Sequence, residues 1–241
     1  MTRLPIPWLG HDPDSPFPPV ARALREPNGL LAAGGDLSAR RLLAAYRHGI
    51  FPWFMPGEPI LWWSPDPRCV FPSGGIHVSR RLGRELRRSA WHVVANTRFV
   101  DVIDACGAAR REGGGTWITP AMRDAYVELH RLGHAHSIEV LDGSRLVGGL
   151  YGVRTGALFC AESMFSHDSG GSKVALLALG RALLAEGVVL IDAQVASPHL
   201  FTLGARLMRR AEFASYCASA AATHEPPGFA ARISCAAADL G

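Results

Sequence analysis

Asp192 and Gln194 flank Ala193 in the apolar run VVLIDAQV, and alternation along a strand places both side chains on one face. Polar groups turned inward from a buried strand need partners. Either they form a hydrogen-bonded network inside the core, or they line a site and hold a substrate donor. An amide oxygen is a very poor base, so the chemistry it serves is orientation more than proton abstraction. His199 follows closely and is open to a structural or an assisting role.

Trp53, Trp62, Trp63 and Trp117 lie in loop-like stretches rich in Gly and Pro. Such an aromatic packs a core or offers its face to a nucleobase, worth ~1–3 kcal/mol per stacked base. Arg80, Arg81, Arg84, Arg87 and Arg88 crowd HVSRRLGRELRRSA. On a helix, Arg80, Arg84, Arg87 and Arg88 fall largely on one side, an array that can follow a phosphate backbone or form a solvated face. In FCAESMFSHDSGGSKVALL a strand runs through a Gly-Ser loop into a helix beginning near Ser172, where backbone N–H groups and Lys173 suit an anion. No P-loop, nucleophile elbow or pyrophosphate-binding Gly motif occurs, and the histidines show no metal spacing, so no metal site is expected.

The elements that must position these residues follow from periodicity and turn signals. Leu24 to Trp63 reads as a short helix plus turns, with Asp36 or Ser38 capping a helix from Ala39 to His48. GIFPWFMPGEPILWWSPDPR is too dense in Pro and Gly for a regular helix or a central strand, and it marks a boundary. A small N-terminal domain, 1–66, and a larger one, 67–241, are the expected division. Beyond it come a strand at Arg68–Pro72, a helix, the strand WHVVANT, two helices around a GGGTWIT turn, and a β-meander with an Asp142-Gly143 hairpin. An apolar helix and the strand VVLIDAQV follow, then a tail expected to fray. This order predicts an α+β fold and matches that of the GNAT acyltransferases, a fold-level analogy that identifies no substrate.

With 48% hydrophobic and 19% charged residues among 241, the chain is neither disordered nor rich in membrane-length apolar runs. The proline-rich opening lacks the pattern of a signal peptide. Five scattered cysteines without a C-x-x-C pair fit reduced, mostly buried thiols in a cytoplasmic protein. The net charge of +4 permits a polyanionic partner.

LREPNGLLAAGGDLS, YRHGIFPWF, ILWWSPDPR, GTWIT, LGHAHSIEV, LVGGLYGV, LFCAESMFS, SKVALL, LIDAQ and HLFTLGA occur in that order. Together they resemble the leucyl/phenylalanyl-tRNA–protein transferases over about Leu24 to Ala205. The resemblance implies a small N-terminal domain and a GNAT-like mixed sheet flanked by helices. It also implies a bacterial, cytoplasmic enzyme that needs no cofactor, and a monomer is the default expectation. Such an enzyme moves Leu or Phe, and less efficiently Met, from aminoacyl-tRNA to N-terminal Arg or Lys of a protein, which is thereby marked for ATP-dependent degradation.

Carried over by motif, Trp53 and Trp117 would hold the 3′-terminal adenosine. Leu150, Phe159, Glu162, Met164, Leu176 and Ile191 would line the amino-acid pocket. The arginine helix would contact the acceptor stem. Gln194 would accept a hydrogen bond from the attacking amine, with Asp192 polarising or orienting it. Glu162 and Asp192 would make the site electronegative, as suits a cationic acceptor. Ala193 stands where the family often has Cys, Leu150 replaces a Met, and HLFTLGA has Thr for Ser. These departures bear on specificity. An acyl-CoA transferase and a non-catalytic RNA-binding module are the competing classes: the missing pyrophosphate loop opposes the first, and the second leaves Asp192, Gln194 and the pocket without purpose.

Overall fold

The computed structural model describes residues 6–112, 115–223 and 233–241. The first glycines of the GGGTWIT turn and much of the C-terminal tail therefore lie outside the described residues. α1 (Ala39–Arg47) begins at Ser38, whose hydroxyl accepts the Arg41 N–H, while Asp36 accepts the Ser38 N–H. Around it β1 (Trp8–Leu9), β2 (Leu30–Gly34), β3 (Phe51–Pro52) and β4 (Leu61–Trp63) form a small sheet in the order β1-β2-β4-β3.

Two sequence expectations fail here. Leu30–Gly34 is a strand and not a turn, and β4 is a central strand inside the Pro-rich segment. The prolines flank Leu61–Trp63 without entering it, so its backbone stays free to pair on both sides. Trp62 is consequently core, with no exposed surface and its indole N–H given to Gly34 O at 2.9 Å.

The remaining strands form one mixed sheet: β5 (Arg68–Pro72), β6 (His92–Ala95), β7 (Ala135–Asp142), β8 (Arg145–Thr155), β9 (Leu158–Ser166), β10 (Leu190–Asp192), β11 (Arg206–Met208) and β12 (Ser234–Ala236). Their order is β11-β5-β10-β9-β8-β7-β6-β12, with β9 and β10 parallel and their neighbours antiparallel. The α-helices that follow α1 among the described residues are α2 (Arg80–Leu86), α3 (Phe99–Glu112), α4 (Pro120–Arg131), α5 (Gly171–Ala185), α6 (Pro198–Thr202) and α7 (Arg210–Ala221). This is an α+β arrangement of a mixed sheet flanked by helices, preceded by a small N-terminal unit. Among the described residues no helix is long and apolar enough to cross a membrane.

The pleat of β8 sends adjacent side chains to different cores. Leu150 joins Val174, Leu176 and Leu179 of α5, whereas Tyr151 joins Phe99 of α3 and Tyr126 of α4. The second cluster continues into Tyr46, Phe51 and Trp62 of the N-terminal unit, so the small sheet rests on the α3/α4 side. α5 crosses β8 very closely: a Cβ on Gly148 would lie 2.5 Å from the Gly171 backbone, which explains a glycine on both elements.

Candidate functional site

β9 and β10 pair only as far as Cys160 opposite Asp192. β9 then continues to Ser166 while the other chain turns away, and a cavity of about 410 Å³ lies where the two part. Residues 161–164 of β9 and 193–197 beyond β10 form facing walls. Leu150 and Leu176 contribute from β8 and α5, His199 and Leu200 from α6, and Phe51, Pro52 and Trp53 from the small sheet. Trp117, from the α3–α4 connection, lines the same cavity, so the two tryptophans that the resemblance pairs share one site. Trp53 is 41% exposed, and its carbonyl accepts the Trp63 indole N–H at 2.7 Å.

Four expected pocket side chains, Leu150, Glu162, Met164 and Leu176, line the cavity. Leu150 and Met164 sit opposite each other across β8 and β9. Phe159 and Ile191 do not line it. They pair with each other before the strands separate, and both are fully buried in the core on the α5 side.

Asp192 is also off the cavity surface. It is the last paired residue of β10, has no exposed surface, and receives Arg68 Nε at 2.7 Å and Nη2 at 2.6 Å. The Arg68 guanidinium lies between the rings of Phe51 and Phe213, 4.8 and 4.6 Å from their centroids. Asp192 thus spends its charge on a buried partner, and the expected joint electronegativity with Glu162 is reduced to Glu162. Its second service is to Gln194, whose backbone N–H it accepts at 2.9 Å.

The shared strand face expected for Asp192 and Gln194 is not formed. The strand ends at Asp192, and Gln194 has φ +55°, a left-handed conformation costing roughly 1–2 kcal/mol for a non-glycine residue. Bonds to both sides of Cys69 and the Asp192 carboxylate hold that turn. The Gln194 amide then reaches Glu162: Nε2 donates to Oε1 at 2.8 Å. Tyr126 donates to the other Glu162 oxygen at 2.8 Å, and the Tyr46 hydroxyl bonds to that of Tyr126. Burial pushes the Glu162 carboxyl up to about 7 against the pull of the two tyrosine hydroxyls, with Asp192 adding to the rise and Arg68 opposing it. Burial and the nearby carboxyl hold both tyrosines well above their usual range, so they stay protonated.

Arg68, Tyr46 and Tyr126 escaped the sequence reading. Tyr126 falls on the buried stripe Met122–Tyr126–Leu129 of α4, where a polar tip on an apolar face was a visible signal. Arg68, the charged head of the strand RCVFP, was another.

The basic helix is shorter than its arginines. Arg87 is the C-cap of α2 and Arg88 lies past it, so Arg80 and Arg84 remain as the one-turn pair, while Arg81 binds Glu85 at 2.8 Å. All five arginines are exposed. The segment entering α2 is tied to the cavity wall by the His77 N–H, which donates to Leu203 O at the end of α6. At the start of α5 the Gly171 and Ser172 N–H groups are already taken, by Asp168 O and Ser166 Oγ, which weakens the anion reading of that loop. Among the described residues no cluster of His, Cys, Asp or Glu has the makings of a metal site.

Residues 70–218 match the model of the leucyl/phenylalanyl-tRNA protein transferases, and residues 35–66 match that of their N-terminal domain. The leucyl/phenylalanyl-tRNA–protein transferase of Xanthomonas euvesicatoria is 59% identical over 91% of this chain and 88% of its own. That of Xanthomonas axonopodis is 60% identical over 85% and 83%, and that of Xylella fastidiosa 59% over 84% of each. On this agreement along nearly its whole length, the chain belongs to the leucyl/phenylalanyl-tRNA–protein transferase family of aminoacyltransferases.

Proposed function

We propose that this aminoacyltransferase moves Leu or Phe, and less efficiently Met, from aminoacyl-tRNA to the α-amine of N-terminal Arg or Lys of cytoplasmic proteins, marking them for degradation. The observation that carries this reading is the cavity itself. It has apolar walls, two tryptophans at its sides, and Gln194 on its surface with an amide oxygen to which nothing among the described residues donates. Trp53 and Trp117 hold the terminal adenosine, and Leu150, Met164 and Leu176 receive the amino-acid side chain. An apolar pocket separates side chains by only ~1–3 kcal/mol per methylene, in keeping with some acceptance of Met. We further propose that 1–66 and 67–241 act as the two domains, and that the protein works as a monomer.

The substrate is already an activated ester, so the reaction needs no separate energy source. A neutral acceptor amine attacks the ester carbonyl, the new N–C bond forms, and the C–O bond to the ribose breaks. The amine's surplus proton finishes on the departing ribose oxygen. Gln194 Oε1 accepts a hydrogen bond from the amine and aims its lone pair, so its contribution is positioning.

The test is transfer of labelled Leu or Phe from charged tRNA to an Arg-initiated peptide, beside an Ala-initiated peptide and labelled Val-tRNA. Labelling of the Arg peptide alone is expected; a folded protein that labels nothing would sink the reading. Arg80→Ala and Arg84→Ala are each expected to flatten the log–log salt dependence of tRNA binding by about one. Arg81→Ala should flatten it less, because Arg81 is already held by Glu85. Equal slopes in all three variants and the parent would remove α2 from the tRNA contact.

A further inference from the structure

The Tyr46–Tyr126–Glu162 chain takes no part in the transfer steps just described, yet it ends on the side chain that does. Tyr126 has one hydroxyl proton and gives it to Glu162, so the bond between the two tyrosines is donated by Tyr46. Gln194 Nε2 occupies the other Glu162 oxygen. An ionised carboxylate only accepts hydrogen bonds. It therefore obliges Gln194 to present its NH₂ and to turn Oε1 away. A neutral carboxylic acid or a carboxamide carries a donor as well, and imposes no such choice.

We propose that Glu162 is a positioning residue for transfer: ionised, it locks the Gln194 amide with its oxygen toward the cavity, and protonated, it lets that amide turn. The inference rests on the aminoacyl-transfer reading above and adds the group that sets the orientation of its key amide. Asp192 has the separate task of holding the Gln194 backbone. The titratable and charged groups facing Glu162 are Tyr46 from α1, Tyr126 from α4, Arg68 from β5, Asp192 from β10 and Cys160 from its own strand. With Glu162 titrating at about 7, the lock closes within the neutral range. The direction is fixed: positioning is lost as pH falls through that value.

Single-turnover transfer to the Arg-initiated peptide, at saturating charged tRNA and across roughly pH 5.5 to 9, tests this. The acceptor amine itself titrates near ~8, giving a limb of unit slope below that pH. In the wild type that limb should steepen toward a slope of two below about 7. Glu162→Gln is expected to transfer roughly 10²-fold more slowly at high pH, with KM for charged tRNA nearly unchanged and a unit slope throughout. Tyr126→Phe removes a hydroxyl that lowers the Glu162 pKa, so it should keep the steep limb and move its break to higher pH. A role confined to packing would produce neither signature.

Wild-type rates in Glu162→Gln, or a steep limb surviving in it, would overturn the proposal. So would a Tyr126→Phe protein whose break has not moved, and this second variant decides the matter alone where Glu162→Gln does not fold. A wild-type protein that transfers nothing at any pH would instead overturn the reading of function.

Discussion

Replacing Asp192 with alanine should lower the melting temperature by roughly 6–20 °C. The estimate combines ~3–5 kcal/mol for stranding one partner of a buried ion pair with about 2–4 °C per kcal/mol for a chain of this size. Arg68 has 1% exposed side chain, lies between two aromatic rings, and among the described residues keeps only the Gly49 carbonyl once the carboxylate is gone. The same substitution removes the acceptor of the Gln194 N–H and frees a left-handed residue to relax. Transfer should therefore fall together with stability.

The paired variant Arg68→Met/Asp192→Leu separates the two effects. It leaves no unpaired charge and should recover much of the melting temperature without recovering transfer, since the Gln194 backbone still lacks its anchor. Differential scanning calorimetry and the transfer assay on both proteins measure the two effects. An Asp192→Ala protein that melts like its parent would show that Arg68 finds another partner. Full transfer in the paired variant would show that Asp192 matters for stability alone.

Gln194→Ala is expected to slow the transfer step by about 10²-fold, with KM for charged tRNA changed by less than about threefold. The asymmetry follows from where the amide acts. Adenosine and amino-acid side chain are assigned to Trp53, Trp117 and the apolar wall, so the proposed binding of charged tRNA does not draw on Gln194. Its oxygen is assigned to the acceptor amine. The substitution also leaves one oxygen of Glu162 without its donor. The carboxyl should then titrate higher, because a donor to the ionised form has been lost. Gln194→Glu is the sharper comparison: it puts a second carboxyl against Glu162, and the two must share a proton at neutral pH. Single-turnover rates at saturating charged tRNA check both variants. A loss carried entirely by KM would move Gln194 from the transfer step to substrate binding.

Much of the molecule could be read from local pattern. Of the two cap candidates for the first helix, Ser38 caps α1 and Asp36 supports it through the Ser38 N–H. The Asp142-Gly143 hairpin, the apolar helix α5 and the buried strand after it follow from turn chemistry and periodicity, which act within a few residues. The ordered motifs resemble the family to which the family models and relatives assign the chain.

Strand ends and side-chain partners followed different rules. β10 stops at Asp192 where the chain turns from β9 into the left-handed Gln194, held by Cys69 of β5, a long-range contact that two-residue alternation in VVLIDAQV cannot contain. Phe159 and Ile191 are core for the same reason, since they precede the parting of the strands that opens the cavity. Arg68 meets Asp192 across 124 positions of chain, and Tyr126 meets Glu162 across 36. Sequence spacing carries the angle at which a side chain leaves its own helix or strand. What that side chain touches is set by the packing of elements distant in the chain, and a buried carboxylate takes its role from whichever donor the packing brings to it.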